Sequence, residues 1–380
     1  MTASTRPPGP KSSTRPPGRE SSTVPVRPDL TGLSGYHSPQ VDVEVRLNTN
    51  ESPLAPPKEW LEELKVELDK VAFNRYPDRE AIELRRALAE LHQVEPEEVF
   101  CANGSNEVLQ CLLLAYGGAG RRVALFEPTY ALHRHIASLT ATEVVSAWRG
   151  PDYRIDLRSA DDLLARTSPV ITFLCSPNNP TGLAEPEEVV AHVLGRTSGL
   201  VVVDEAYGQF APTSALDSRR RRVPGSERLV VVRTFSKTWS MAACRLGYLV
   251  ADPEVVEACE AVALPYHLDA VTQVAGRLAL RHVRAMEERI ALVNEERGRM
   301  AAALGEMDVE SWPSDANFIL FRPLERPAKQ VWHDLLDASV LVRDCSEWRG
   351  LSECLRVTVG SPEDNDRFLA ALRSSLGSSR

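Results

Sequence analysis

No apolar run in this chain approaches the length of a membrane span, which excludes an integral membrane helix. A basic excess is also missing. Lys and Arg number 44 against 53 Asp and Glu, and the net charge of −9 argues against a general nucleic-acid or anionic-membrane surface. The one basic cluster, Arg219-Arg220-Arg221-Arg222, lies between a Ser/Asp stretch and Pro224-Gly225 and reads as a solvated loop. The seven cysteines are odd in number, scattered, and form no C-x-x-C pair. They read as reduced, mostly buried thiols of a cytosolic protein, not as a disulfide frame or zinc site. His133 and His135 have no carboxylate or cysteine cluster beside them, so no metal is expected. The first 28 residues carry almost no large apolar side chain and repeat Ser-Thr-Arg-Pro-Pro-Gly at 4–9 and 13–18. Such a segment cannot bury enough surface to offset its ordering entropy, so it is expected to be disordered. It has no apolar h-region of a secretory signal, and its prolines break the amphipathic helix of a transit peptide.

What is present begins with Arg233-Thr234-Phe235-Ser236-Lys237-Thr238-Trp239, followed by Arg245. It leaves the apolar run Leu229-Val230-Val231-Val232, which reads as a buried strand. A lysine leaving such a strand sits at the rim of an open α/β sheet, where ligands bind. A hydroxyl before it and an arginine after it suit an aldehyde cofactor that also carries a phosphate. The ε-amine would form a Schiff base while Ser236 and Arg245 hold the phosphate. Two upstream runs deliver polar groups in the same way. Val170–Cys175 ends in Ser176-Pro177-Asn178-Asn179-Pro180-Thr181-Gly182, and Leu200–Val203 ends in Asp204-Glu205-Ala206-Tyr207. Asp204 can keep a pyridine nitrogen protonated, and Asn179 and Tyr207 can donate to a phenolate oxygen. Each residue also has a purely structural reading: Asp204 as an N-cap, Asn179 as a turn residue, Tyr207 as half-buried packing.

Taken together these segments resemble the fold-type I pyridoxal-phosphate aminotransferases (class II subgroup), and among them the histidinol-phosphate aminotransferases. The likeness runs from about Leu30 to near the C-terminus. Supporting segments are Leu47-Asn48-Thr49-Asn50-Glu51-Ser52-Pro53, Asn74-Arg75-Tyr76-Pro77-Asp78, Asn103-Gly104-Ser105-Asn106-Glu107, Glu127-Pro128-Thr129-Tyr130 and Leu355-Arg356-Val357-Thr358-Val359-Gly360. Ser52, Thr238 and Trp239 depart from the family's usual residues at positions that carry no catalytic group. The resemblance implies pyridoxal 5′-phosphate as cofactor, with Lys237 as the catalytic amine, Asp204 at the ring nitrogen and Tyr207 beside it. Ser105, Asn106, Ser236 and Arg245 would take the phosphate, joined by Tyr76 from a second subunit of a homodimer. Tyr130 would stack on the ring. Exposed amides at the start of the helix after Gly104 would also attract the phosphate. For substrates it implies L-histidinol phosphate and 2-oxoglutarate, with Arg356 for the α-carboxylate and Arg343 for the substrate phosphate. Asn179, Tyr36 and Tyr266 would complete the pocket. Aromatic aminotransferases and threonine-phosphate decarboxylases share these motifs and stay open as alternatives.

The fold expected is α/β: a large domain with a mainly parallel, mixed sheet flanked by helices, plus a smaller α+β domain. Its parts are a tail at 1–28, an arm and small-domain portion at 29–73, the cofactor domain at 74–285 and a C-terminal small domain at 286–380. At 380 residues and 43% hydrophobic, the chain can bury a core of that size. One long helix is expected over Gln273–Val293.

Overall fold

The computed structural model describes residues 41–377 together with Val24, Arg27 and Leu30. Apart from Val24 and Arg27, the tail expected at 1–28 lies outside the described residues, as do Tyr36 and 378–380. Among the described residues no helix is long and apolar enough to cross a membrane.

The described strands form two sheets. The larger has the order β2 (Val99–Ala102), β8 (Gly247–Val250), β7 (Leu229–Thr234), β6 (Leu200–Asp204), β5 (Ile171–Cys175), β3 (Arg122–Glu127), β4 (Glu143–Trp148). Strands β4, β3, β5, β6 and β7 run parallel, while β8 is antiparallel to both β7 and β2. Both faces are covered, which is why β6 and β7 read as unbroken apolar runs instead of alternating. Val201, Val203, Leu229 and Val231 face one core with Leu84, Leu88 and Leu246. Leu200, Val202, Val230 and Val232 face a second with Leu109, Leu112 and Phe173. Each such buried side chain contributes about 1.5–3 kcal/mol over leaving it exposed.

The smaller sheet has the order β1 (Val45–Leu47), β11 (Val340–Asp344), β12 (Leu355–Thr358), β10 (Phe318–Pro323), β9 (Val309–Ser311). The N-terminal strand β1 pairs in parallel with β11, so residues from the two ends of the chain build one sheet. Helix α1 (Lys58–Leu68) packs Trp60 and Leu64 into the core of the larger sheet.

The single helix expected over Gln273–Val293 is two: α9 (Ala270–Ala279) and α10 (Val283–Leu304), separated by a tight turn at Leu280–His282. The two helices serve two cores, although the change falls inside α10, where Met286 still packs with the larger sheet. Ala275, Leu278 and Ala279 serve the larger sheet's core, whereas Val293, Met300 and Leu304 serve the smaller sheet's core. The basic cluster is also not a solvated loop throughout. Arg219 and Arg220 end helix α7 (Ala215–Arg220), and Arg219 is buried against Glu98 at 2.6 Å while donating to the Leu229 and Ser226 carbonyls. Its long side chain adds bonds to carbonyls at and just before the start of β7. The seven cysteines are free, and all but Cys244 are buried.

Candidate active site

Strands β5, β6 and β7 lie side by side in parallel, so their C-terminal ends open on one crevice. Asn179 follows β5, Asp204 ends β6 with Tyr207 just beyond, and Ser236 and Lys237 follow β7. Lys237 is half-buried, lies 5.7 Å from the Tyr207 ring centroid, and donates to the Thr49 carbonyl at 3.0 Å. Burial pushes its ammonium down from the usual 10.5 to about 7. Arg356 adds to this, Glu51 opposes it, and Arg245 contributes least. A lysine so placed holds a neutral, nucleophilic amine near neutral pH.

Asp204 is buried and accepts from His133 Nε2 at 2.9 Å through Oδ2, and from the Ala206 amide through Oδ1. His133 sits in helix α4 (Ala131–Leu139), stacked on Phe173 at 4.7 Å with Tyr130 edge-on at 5.4 Å. A carboxylate only accepts, so the network puts the imidazole proton on Nε2. His133 is thus a site residue that sequence reasoning weighed only as a metal ligand. Its partner is 71 residues away and no local pattern marks it.

Opposite the lysine lies an anion cradle. Helix α3 (Ser105–Tyr116) starts after Gly104, at φ 80°, and no side chain caps its first amides. Arg245 closes over that end: a Cβ on Gly104 would fall 2.6 Å from its guanidinium, and its Nη1 donates to Ser236 Oγ at 3.4 Å. Gly247 is required as well, since a Cβ there would overlap the Ser105 amide nitrogen. Free amides, a helix dipole, Ser105, Ser236 and an arginine in one concavity suit a phosphate dianion. Tyr130 Oη donates to Asn106 Oδ1 at 3.3 Å, joining α3 to the segment that carries the expected stacking ring.

The smaller sheet contributes the arginines. Arg343 on β11 and Arg356 on β12 are direct cross-strand neighbours, both buried. Arg356 donates to Asn179 Oδ1 at 2.5 Å and to the Asn48 carbonyl at 3.0 Å, and packs over Phe318. With Oδ1 occupied, Asn179 is left its amide nitrogen as a donor. The guanidinium of Arg343 lies over Trp348 at 5.2 Å. It is not a surface partner of Asp344, whose carboxylate caps Ser346 instead. Like charges opposite each other on a sheet are destabilising unless something anionic lies between or above them.

Tyr76 and Tyr266 stand elsewhere. They stack on each other at 4.5 Å, with Tyr76 80% exposed, so within one chain Tyr76 faces outward. The segment of Tyr266 adjoins the cradle through Asn103, which donates to the His267 carbonyl at 2.7 Å. Tyr36, expected to line the pocket, lies outside the described residues.

The sequence profile of the family "Aminotransferase class I and II" matches residues 42–372. The histidinol-phosphate aminotransferase of Frankia casuarinae is 44% identical over 93% of this chain and 90% of its own length. That of Corynebacterium efficiens is 42% identical over 93% of this chain and 95% of its own. Among solved structures, histidinol-phosphate aminotransferase from Sinorhizobium meliloti in complex with pyridoxal-5′-phosphate superposes with a TM-score of 0.86 at 21% identity, covering 95% of this chain and all of that one. L-threonine-O-3-phosphate decarboxylase from Porphyromonas gingivalis gives 0.75 at 24%, covering 87% and 98%. At those identities the two structures speak for the fold alone, which is that of the fold-type I aminotransferases. The chain belongs to the class I and II aminotransferases and, within them, to the histidinol-phosphate aminotransferase family.

Proposed function

We propose that this chain is a pyridoxal-phosphate-dependent transaminase that moves the amino group of L-histidinol phosphate to 2-oxoglutarate. The products are imidazole-acetol phosphate and L-glutamate, a step of histidine biosynthesis. The cross-strand pair Arg343 and Arg356 carries the substrate assignment. One pocket must accept a phosphate ester without a carboxylate and, in turn, a dicarboxylate, and two adjacent planar guanidinium forks match either anion.

Bound in the cleft, pyridoxal 5′-phosphate supplies an aldehyde for the amino group and a protonated ring that draws electrons from the substrate Cα. The protein's residues do the rest. Ser105, Asn106, Ser236 and Arg245 hold the phosphate at the uncapped end of α3, with Tyr76 of the partner subunit reaching the same group. Asp204, oriented by His133, holds the proton at the ring nitrogen, and Tyr130 packs against the ring face. Asn179 and Tyr207 donate to the phenolic oxygen. Lys237 would hold the cofactor's aldehyde end through its amine and would move the proton at the substrate Cα. Arg356 binds the α-carboxylate of glutamate and Arg343 the phosphate of histidinol phosphate, with Tyr266 on the imidazole side.

We assign the arm at 29–73, the large part at 74–285 and the small part at 286–380 as the pieces that enclose the cleft. The enzyme works as a homodimer with shared sites in the cytoplasm. Its free, mostly buried cysteines favour that reducing compartment. The test is a half-reaction. The loaded enzyme given L-histidinol phosphate alone should convert its cofactor stoichiometrically to the pyridoxamine form. Release of carbon dioxide from an amino-acid phosphate, without that conversion, would replace this reading with a decarboxylase.

A further inference from the structure

We propose that Asn50 is a positioning residue: it forces the hydroxyl of Tyr207 to accept on one side and so directs its single proton toward the cofactor's phenolic oxygen. The proposal rests on the function given above and assigns a part to the Asn48–Ser52 turn. Asn50 is buried, with φ 55°, a conformation asparagine tolerates better than most residues. Its Nδ2 lies 3.0 Å from Tyr207 Oη, and its Oδ1 lies 3.0 Å from Thr358 Oγ1.

The direction of these bonds follows from counting hydrogens. The Asn50 amide donates to Thr358 Oγ1 at 3.0 Å, so that hydroxyl already accepts. Thr358 is buried, and its one proton needs an acceptor, which Asn50 Oδ1 supplies. Flipping the Asn50 side-chain amide would leave the threonine proton unpaired in the interior, at a cost of about 1–3 kcal/mol. Nδ2 therefore faces Tyr207 as a donor, and the phenol must send its own proton elsewhere. Burial also pushes the Tyr207 hydroxyl up from its usual 10 to about 12, so it stays a donor. The turn is fixed from the smaller sheet by Asn317, which donates to the Asn50 carbonyl at 3.1 Å, and by Arg356 on the Asn48 carbonyl. One turn thus joins the carboxylate arginine to the tyrosine at the end of β6.

Asn50→Asp keeps the shape and the Thr358 bond but cannot donate, so Tyr207 would turn its proton to the introduced carboxylate. Losing a donor on the phenolic oxygen disfavours its ionised form. The visible absorption band of the protein loaded with pyridoxal phosphate should then titrate upward by about one pH unit or more. In a Tyr207→Phe background the same substitution should shift it by less than half as much. Asn50→Gly, which suits the positive φ, serves if the aspartate variant fails to fold. It should move the band in the same direction by less, and not at all when combined with Tyr207→Phe. An unmoved titration in N50D, or equal shifts with and without the Tyr207 hydroxyl, would overturn the proposal alone. A wild-type protein that gains no visible band would overturn the proposed function and this inference with it.

Discussion

Truncating Arg343 to alanine separates the two anion-binding arginines. The side chain is buried, sits beside Arg356 across β11 and β12, and rests on Trp348. Two structural consequences for stability oppose each other. Loss of the contact with Trp348 costs about 1–2 kcal/mol in this buried setting. Relief of the like-charge pair returns about 0.2–1 kcal/mol. The comparison between substrates, and not the melting temperature, therefore separates binding from folding. A charged hydrogen-bond partner removed from a closed site costs the phosphate substrate about 2–4 kcal/mol in kcat/KM. At about 1.36 kcal/mol per factor of ten this is about 30- to 900-fold. Glutamate, held by Arg356, should lose far less. The assay compares kcat/KM for L-histidinol phosphate, glutamate and phenylalanine in wild type and R343A. Equal losses for histidinol phosphate and for phosphate-free phenylalanine would refute the assignment and favour a general aromatic aminotransferase.

Lys237→Ala should still bind pyridoxal phosphate but lack the visible band and lose turnover by several orders of magnitude; near-normal turnover would remove Lys237 from the chemistry. Gly247→Ala drives a methyl into the Ser105 amide at the start of α3, so cofactor titration should show affinity weakened about tenfold or more, since overpacking costs about 1–3 kcal/mol. Uptake of cofactor by the apoprotein should accelerate as pH rises through about 7, where Lys237 becomes neutral, and a rise centred near 10 would contradict the lowered value. Because unfolded Lys237 keeps its proton up to about 10.5 while the folded form has released it, apoprotein stability should increase with pH across that window. Sedimentation at low concentration should show activity disappearing with the dimer; a fully active monomer would exclude Tyr76 from a shared site.

The strand-end residues were legible because a doubly wound sheet converts sequence order into spatial convergence. Once Val170–Cys175, Leu200–Val203 and Leu229–Val232 are read as parallel strands, Asn179, Asp204, Tyr207 and Lys237 must meet at one edge. The two arginines needed more, since Arg343 and Arg356 become neighbours only through the register of β11 on β12. His133 was illegible because its role is set by a hydrogen bond from α4 to Asp204 at the end of β6, and a histidine on an amphipathic helix has no distinguishing neighbours in sequence. Arg219 misled for the opposite reason. Four consecutive arginines look solvated, but on a short helix one of the four turns inward, and here it meets Glu98. The break between α9 and α10 at Leu280–His282 carries no glycine or proline signal.

Burial first, and the charge in the cleft second, explain why one residue among several cations becomes the nucleophile. Arg356 and Arg245 both act on Lys237, and Glu51 offsets them only in part. Guanidinium groups cannot release a proton under any condition the protein meets, whereas an ammonium can. Crowding permanent cations around a half-buried lysine therefore has one outlet, which is loss of the lysine proton. The same arginines that await the anions of cofactor and substrate thus keep the amine of Lys237 free to react near neutral pH. A neutral replacement for Arg356 would weaken carboxylate binding and raise the lysine's basicity together, because both effects issue from a single buried charge.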